Sequence, residues 1–206
     1  LKDLMKYGSI DEDALKIIIK LIKQKKNIVV AGGTGSGKTT TLTAMTDLID
    51  KTERVVVIED TSEIRVPKSL ENVVYLETRP ENSEGKGEIT IRALVKNALR
   101  MRPDRIIIGE CRGAEAFDMI QAMNTGHPGS LTTVHANSTK DALLRLETMV
   151  LLSGFNDVSI NVIREWITSA IDIVIFQKLM PDGRRLVFEI LEVNGFNDYN
   201  VLYKYE

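Results

Sequence analysis

The run Gly32-Gly33-Thr34-Gly35-Ser36-Gly37-Lys38-Thr39 constrains this chain more than any other stretch of it. It fits the pattern G-x-x-x-x-G-K-[ST]. The apolar segment Ile28-Val29-Val30-Ala31 precedes it, and residues 38–49 can form a helix, so the expected unit is strand, glycine-rich loop, helix. Four of the chain's 14 glycines fall within residues 32–37. Lacking Cβ atoms, they let successive backbone N–H groups converge on phosphate oxygens at a helix N-terminus. Lys38 would then reach the β- and γ-phosphates, and the Thr39 hydroxyl would ligate Mg²⁺. The phosphate-binding run is therefore taken as Gly32, Gly33, Thr34, Gly35, Ser36, Gly37, Lys38, Thr39 and Thr40.

The remaining pattern is α/β. Apolar runs at Arg54 to Glu59, Asn72 to Leu76, Ile106 to Ile108 and Leu131 to Val134 read as buried parallel strands. Helices are expected after a capping box at Ser9-Ile10-Asp11-Glu12 and ending near Gln24, from Thr90 towards Pro103, from Ala114 to Met123, from Ser138 to about Leu152, and from Ile160 to Ser169. The tail, Asp172 to Tyr205, punctuated by Pro181-Asp182-Gly183 and Asn194-Gly195, reads as a β-meander. At 206 residues and 43% hydrophobic, the chain has material for one sizeable core.

Composition excludes several alternatives. A formal net charge of −2 argues against a dedicated duplex-DNA binder. One cysteine, Cys111, excludes an internal disulfide framework and a Cys-rich zinc site, and two histidines make an all-protein zinc site a poor fit. No apolar run approaches the ~18 residues of a membrane span, and the start has no signal-peptide core, so a cytoplasmic protein, peripheral at most, is expected. The first residue, Leu1, suggests an excised piece of a longer chain.

Two acidic clusters end apolar strands. Ile106-Ile107-Ile108-Gly109-Glu110 has the form of a Walker B segment, whose carboxylate holds Mg²⁺ through water or orients the attacking water. Glu59-Asp60-Thr61-Ser62-Glu63 is the second. Strand C-termini line the ligand crevice of an open α/β sheet, so both clusters should face the glycine-rich loop. Asp60 joins Thr39 and Glu110 as a candidate metal ligand. His135, closing a core strand, is placed to donate to a γ-phosphate, whereas His127 has equal claim to a structural role. No N-K-x-D-type guanine reader is present.

Taken together, Gly32 to Thr39, Ile58 to Glu63, Leu99 to Asp104 leading into Gly109-Glu110-Cys111-Arg112-Gly113, and Thr125 to Asn137 resemble the secretion ATPase superfamily of type II and type IV systems. Within it, Glu77-Thr78-Arg79-Pro80, Gly85-Lys86-Gly87-Glu88, Met123 to His127 and His135-Ala136-Asn137-Ser138 are most similar to the tight-adherence pilus ATPases of the CpaF/TadA branch, with VirB11 close behind. Pro128 and Thr61-Ser62 depart from neighbouring branches, Pro128 leaning towards VirB11. The resemblance implies a RecA-like ATPase core and a ring, expected to be a hexamer, at the inner face of the cell membrane. Platform proteins of a secretion or pilus system would be its partners, without direct nucleic-acid contact. It implies roles for Lys38 and Thr39 on phosphate and Mg²⁺, for Glu63 and Glu110 as water-activating or metal-positioning acids, and for His135 near the γ-phosphate. It also implies that residues 1–206 are the motor half of a subunit whose N-terminal domain is absent from this chain. Arg79, Arg92, Arg100, Arg102 and Arg112 are candidates to act across a subunit interface, with a solvated helix face as the alternative for Arg92 and Arg100. The rival functions are an ATP-binding docking subunit that hydrolyses little and a RecA-like nucleic-acid motor.

Overall fold

The computed structural model describes residues 1–155 and 157–205. Its frame is an eight-stranded sheet in the order β3-β2-β4-β5-β1-β6-β7-β8. The strands are β1 (Ile28–Gly32), β2 (Val55–Glu59), β3 (Val73–Glu77), β4 (Arg105–Ile108), β5 (Leu131–His135), β6 (Ile173–Leu179), β7 (Arg185–Gly195) and β8 (Asp198–Lys204). The six from β3 to β6 are parallel, and β6, β7 and β8 form the antiparallel meander expected of the tail.

Side chains alternate across a strand, so each run of apolar residues feeds both faces. Val29, Ala31, Val56 and Ile58 lie under α4 (Ile91–Ala98), α5 (Glu115–Asn124), α6 (Thr139–Leu152) and α7 (Ile160–Ala170). Ile28, Val30, Val55 and Val57 lie under α1 (Lys2–Lys6), α2 (Glu12–Lys23) and α3 (Lys38–Met45). Helices thus flank a mostly parallel sheet on both faces, in keeping with the expected RecA-like α/β core, and β1 lies near the middle of the strand order.

Local signals set the helix ends. Thr90 caps α4 by accepting the Ala93 N–H at 3.2 Å, and Ser138 caps α6 by accepting that of Asp141 at 3.0 Å. The cap of α2 is Asp11, which accepts the Ala14 N–H at 2.8 Å, rather than Ser9. Both residue types can cap, and Ser9 is instead buried beside β7, where its carbonyl accepts the Val187 N–H. The helix expected to reach Ile49 tightens into a 3₁₀ turn at Thr46–Leu48. The short α1 had no sequence signal.

At the edge of the sheet remote from the strand C-termini, Arg105 is only 1% exposed. Its Nε donates to Glu53 at 2.7 Å, and Nη1 and Nη2 donate to the carbonyls of Gly129 and Ile22 at 3.2 and 3.0 Å. The guanidinium therefore ties α2, β4 and the loop before β5 together. Burial raises the pKa of Glu53, but Arg105, aided by Lys25, outweighs it and leaves the carboxyl below its usual value. This stabilisation is present above the ordinary Glu pKa and is lost as pH falls through the lowered one. Removing one partner strands the other in the interior, so Arg105→Ala is expected to cost about 3–5 kcal/mol in urea unfolding at pH 7. The wild type should lose part of that margin as the pH drops below about 4.5.

Candidate functional site

The glycine-rich loop leaves β1 at Gly32 and enters α3 at Lys38, with Gly37 as a left-handed N-cap at φ 92°. Gly32 is pinned on both edges, in register with His135 of β5 and Gln177 of β6. A Cβ at Gly32 would lie 2.4 Å from the Gln177 carbonyl oxygen and 2.5 Å from Ser36 Oγ, so only glycine fits there. Lys38 Nζ donates to the Gly33 carbonyl at 3.0 Å, and Arg185 Nε donates to the Gly35 carbonyl at 2.8 Å. Ser36 Oγ and Gln177 Oε1 are buried and have no hydrogen-bond partner among the described residues. Sequence reading did not single out Gln177 or Arg185, because both lie in the meander, far along the chain from the loop they support.

Beside the loop, one pocket of about 120 Å³ is lined by Thr39, Glu59, Asp60, Thr61, Glu63, Gly109, Glu110 and Arg112. The two acidic strand ends thus meet the first turn of α3, as the crevice rule required. Glu110 Oε2 accepts a hydrogen bond from Arg112 Nη2 at 2.6 Å, and Arg112 Nη1 lies 3.5 Å from Asp60 Oδ2. Glu59, 5% exposed, accepts the N–H groups of Glu63 and Ile64 at 3.0 and 2.9 Å. Burial pulls the pKa of Lys38 down, with Glu110 opposing and Arg112 assisting.

His135 closes β5, half-buried, one strand from the loop and outside the lining of that pocket. His127 is further away, with Nδ1 3.1 Å from the Ala122 carbonyl near the end of α5, a structural position. Thr40 is exposed on α3 and faces neighbouring grooves rather than the acidic pocket. Among the arginines, Arg92 is not simply solvated, since its Nε donates to the buried Asp118 at 2.6 Å. Arg79 donates to the Gly87 carbonyl at 2.8 Å, while Arg100 and Arg102 are exposed. Cys111 is buried, and burial raises its thiol well above the usual pKa.

The oxygen donors of Thr39, Asp60 and Glu110 share the pocket, and such hard oxygens suit Mg²⁺. No three His, Cys, Asp or Glu side chains among the described residues could hold a metal on their own.

A mostly parallel sheet with a phosphate loop at its central strand and acids at flanking strand tips defines a RecA-like P-loop nucleotide-binding domain. The family model described as "Type II/IV secretion system protein" matches residues 1–193, and the chain belongs to that family. A putative conjugal transfer protein of Mycobacterium tuberculosis is 39% identical over 183 residues, covering 89% of this chain and 51% of that protein. The crystal structure of the VirB11 ATPase of the Brucella suis type IV secretion system, in complex with sulphate, aligns with a TM-score of 0.79 at 32% identity, covering 92% of this chain and 54% of that one. The pilus retraction motor PilT with bound ADP aligns at 0.68 and 26% identity, covering 96% and 54%. The chain therefore spans about half the length of these relatives.

The glycines of the loop are not equivalent. Gly33 has no neighbour within 4 Å of an added Cβ and, unlike Gly35 and Gly37, no positive φ. Gly32→Ala is expected to lower stability by about 1–3 kcal/mol, as overpacking against backbone does, and Gly33→Ala by less than about 1 kcal/mol. Thermal melts of the two variants without nucleotide check the contrast.

Proposed function

We propose that this chain is the motor domain of an ATPase that couples ATP hydrolysis to pilus assembly or to secretion of a protein or other substrate. The observation that carries this reading is the single pocket in which Thr39 of the phosphate loop meets Glu63, Asp60 and Glu110. The names of the relatives, a conjugal transfer protein, a type IV secretion ATPase and a pilus retraction motor, support a mechanical role. Their vocabulary favours the conjugation and VirB11 side, whereas the motifs of this sequence lean towards the tight-adherence branch.

In the proposed chemistry, water attacks the γ-phosphate in line, and catalysis is positioning plus charge neutralisation. The loop N–H groups and Lys38 bind the phosphates, with Lys38 exchanging its Gly33 carbonyl for phosphate oxygen. Thr39, Glu110 and Asp60 would hold Mg²⁺, which when bound neutralises charge on the β- and γ-phosphate oxygens. Glu63 and Glu110 orient or deprotonate the water, and Arg112, bonded to Oε2 of Glu110, fixes that carboxylate. His135 senses the γ-phosphate from the neighbouring strand.

Residues 1–206 form the motor half, a second domain covers the nucleotide, and copies assemble into a ring, a hexamer, at the cytoplasmic face of the membrane. Inner-membrane platform proteins are the partners. No helix among the described residues is long and apolar enough to cross a membrane.

In the complete protein, Lys38→Ala should abolish nucleotide binding or turnover. Glu110→Gln should bind ATP normally and lose about 10²-fold or more in kcat, as loss of a general base or metal-positioning acid does. A steady-state phosphate-release assay decides. Unchanged turnover in Lys38→Ala would overturn the proposal, and a wild type that binds ATP but releases no phosphate would make the protein a docking subunit instead.

A further inference from the structure

Glu63 is the least anchored of the acids in the pocket. Its side chain is exposed, and it belongs to the segment between β2 and β3, residues 60–72, which contains neither helix nor strand. Such a segment sets a carboxylate in place only if its backbone is held. Within it, Ile64 is fully buried in the core on the α2 side of the sheet, and Arg65 Nη1 donates to Ser62 Oγ at 2.7 Å.

The grip comes from Glu59. A buried carboxylate is costly unless its oxygens are hydrogen-bonded. Glu59 Oε1 accepts two consecutive amides, Glu63 N–H at 3.0 Å and Ile64 N–H at 2.9 Å. The side chain lies against Gly109 at the tip of β4, in space that only a glycine leaves open. A Cβ at residue 109 would sit 3.0 Å from Glu59 Cγ and 3.4 Å from Oε1. Its backbone is fixed as well, since the Glu59 carbonyl accepts the Thr78 N–H at 3.1 Å and the Gly109 N–H bonds to the Ile58 carbonyl at 2.9 Å. Glu59 therefore connects the tip of β4, beside Glu110, to the backbone that carries Glu63.

We infer that Glu59 is a positioning residue, whose buried carboxyl oxygen holds the Glu63–Ile64 backbone against Gly109 so that the Glu63 carboxylate faces Thr39 and Glu110. The role requires a hydrogen-bond acceptor and no negative charge. A Gln at this position offers an amide oxygen that accepts the same two N–H groups, and a Leu offers nothing. This separates positioning from metal ligation or general-base chemistry, both of which need the carboxylate. The inference rests on the hydrolytic reading of the pocket.

The test uses the complete protein, with phosphate release at saturating Mg-ATP, ADP affinity by fluorescence, and amide hydrogen exchange at Glu63 and Ile64. Glu59→Leu is expected to lower kcat by about 10²-fold, the scale of a 1 Å misplacement, while leaving KM and ADP affinity within about threefold. It should also speed exchange of the two amides. Glu59→Gln is expected to restore kcat to within about threefold of wild type and keep both amides protected. A Glu59→Gln protein as inactive as Glu110→Gln, or one with unprotected amides, overturns the inference, as does a fully active Glu59→Leu. If Glu59→Leu does not fold, the Gln variant decides alone. If the wild type hydrolyses no ATP, it is the hydrolytic reading that fails, and the amide protection of Glu59→Gln still decides whether Glu59 holds the loop.

Discussion

Gly32 bonds across both edges of its strand, opposite His135 on one side and Gln177 on the other, so the phosphate loop departs from a point that cannot slide along the sheet. Strand register is a strong constraint here, because a one-residue slip would exchange the side chains of β1 between two differently packed faces and break its pairing with β5 and β6. All five residues of β1 are buried. Everything the loop does, from the left-handed turn at Gly37 to the direction of α3, is measured from that fixed end.

The same sheet order spaces the chemistry. Because β5 lies between β1 and β4, the loop and the Glu110 tip stand two strand separations apart, roughly 10 Å. Across that gap Glu110 acts on Lys38 only at a distance, opposing the fall of its pKa that burial causes. Glu110 instead pairs with Arg112 from its own loop, and Lys38 folds back on the Gly33 carbonyl. Each charged group is thus held by a contact from its own segment of chain.

Much of this was legible in the sequence because it is written locally. Strand, glycine loop and helix are contiguous, the parallel strands are short apolar runs, and Thr90 and Ser138 announce their helices. The acids at 60, 63 and 110 could be placed together because strand ends share a crevice. What escaped was decided by distant partners. Arg105 looks like a surface residue beside an apolar run, and only Glu53 and two carbonyls from other segments explain its burial. Glu59 reads as one acid among several until its two amide donors are seen. Arg185 and Gln177 had no motif, since their function is to touch a loop about 150 residues earlier. The capping box put the cap of α2 at Ser9, but Ser9 is buried against β7 and Asp11 caps the helix instead.

The placement of β1 between β5 and β6 also dictates an order of events during synthesis. Once the phosphate loop is synthesised, its strand has no neighbour until residues 131–135 arrive, and no second neighbour until residues 173–177 do. The strand pairings that matter most are among the longest-range in the chain, the kind that form slowly and leave apolar strands unpaired in the meantime. Val29, Val30 and Ala31, apolar and buried in the finished sheet, therefore lack their full set of strand partners until some 140 further residues of chain are made.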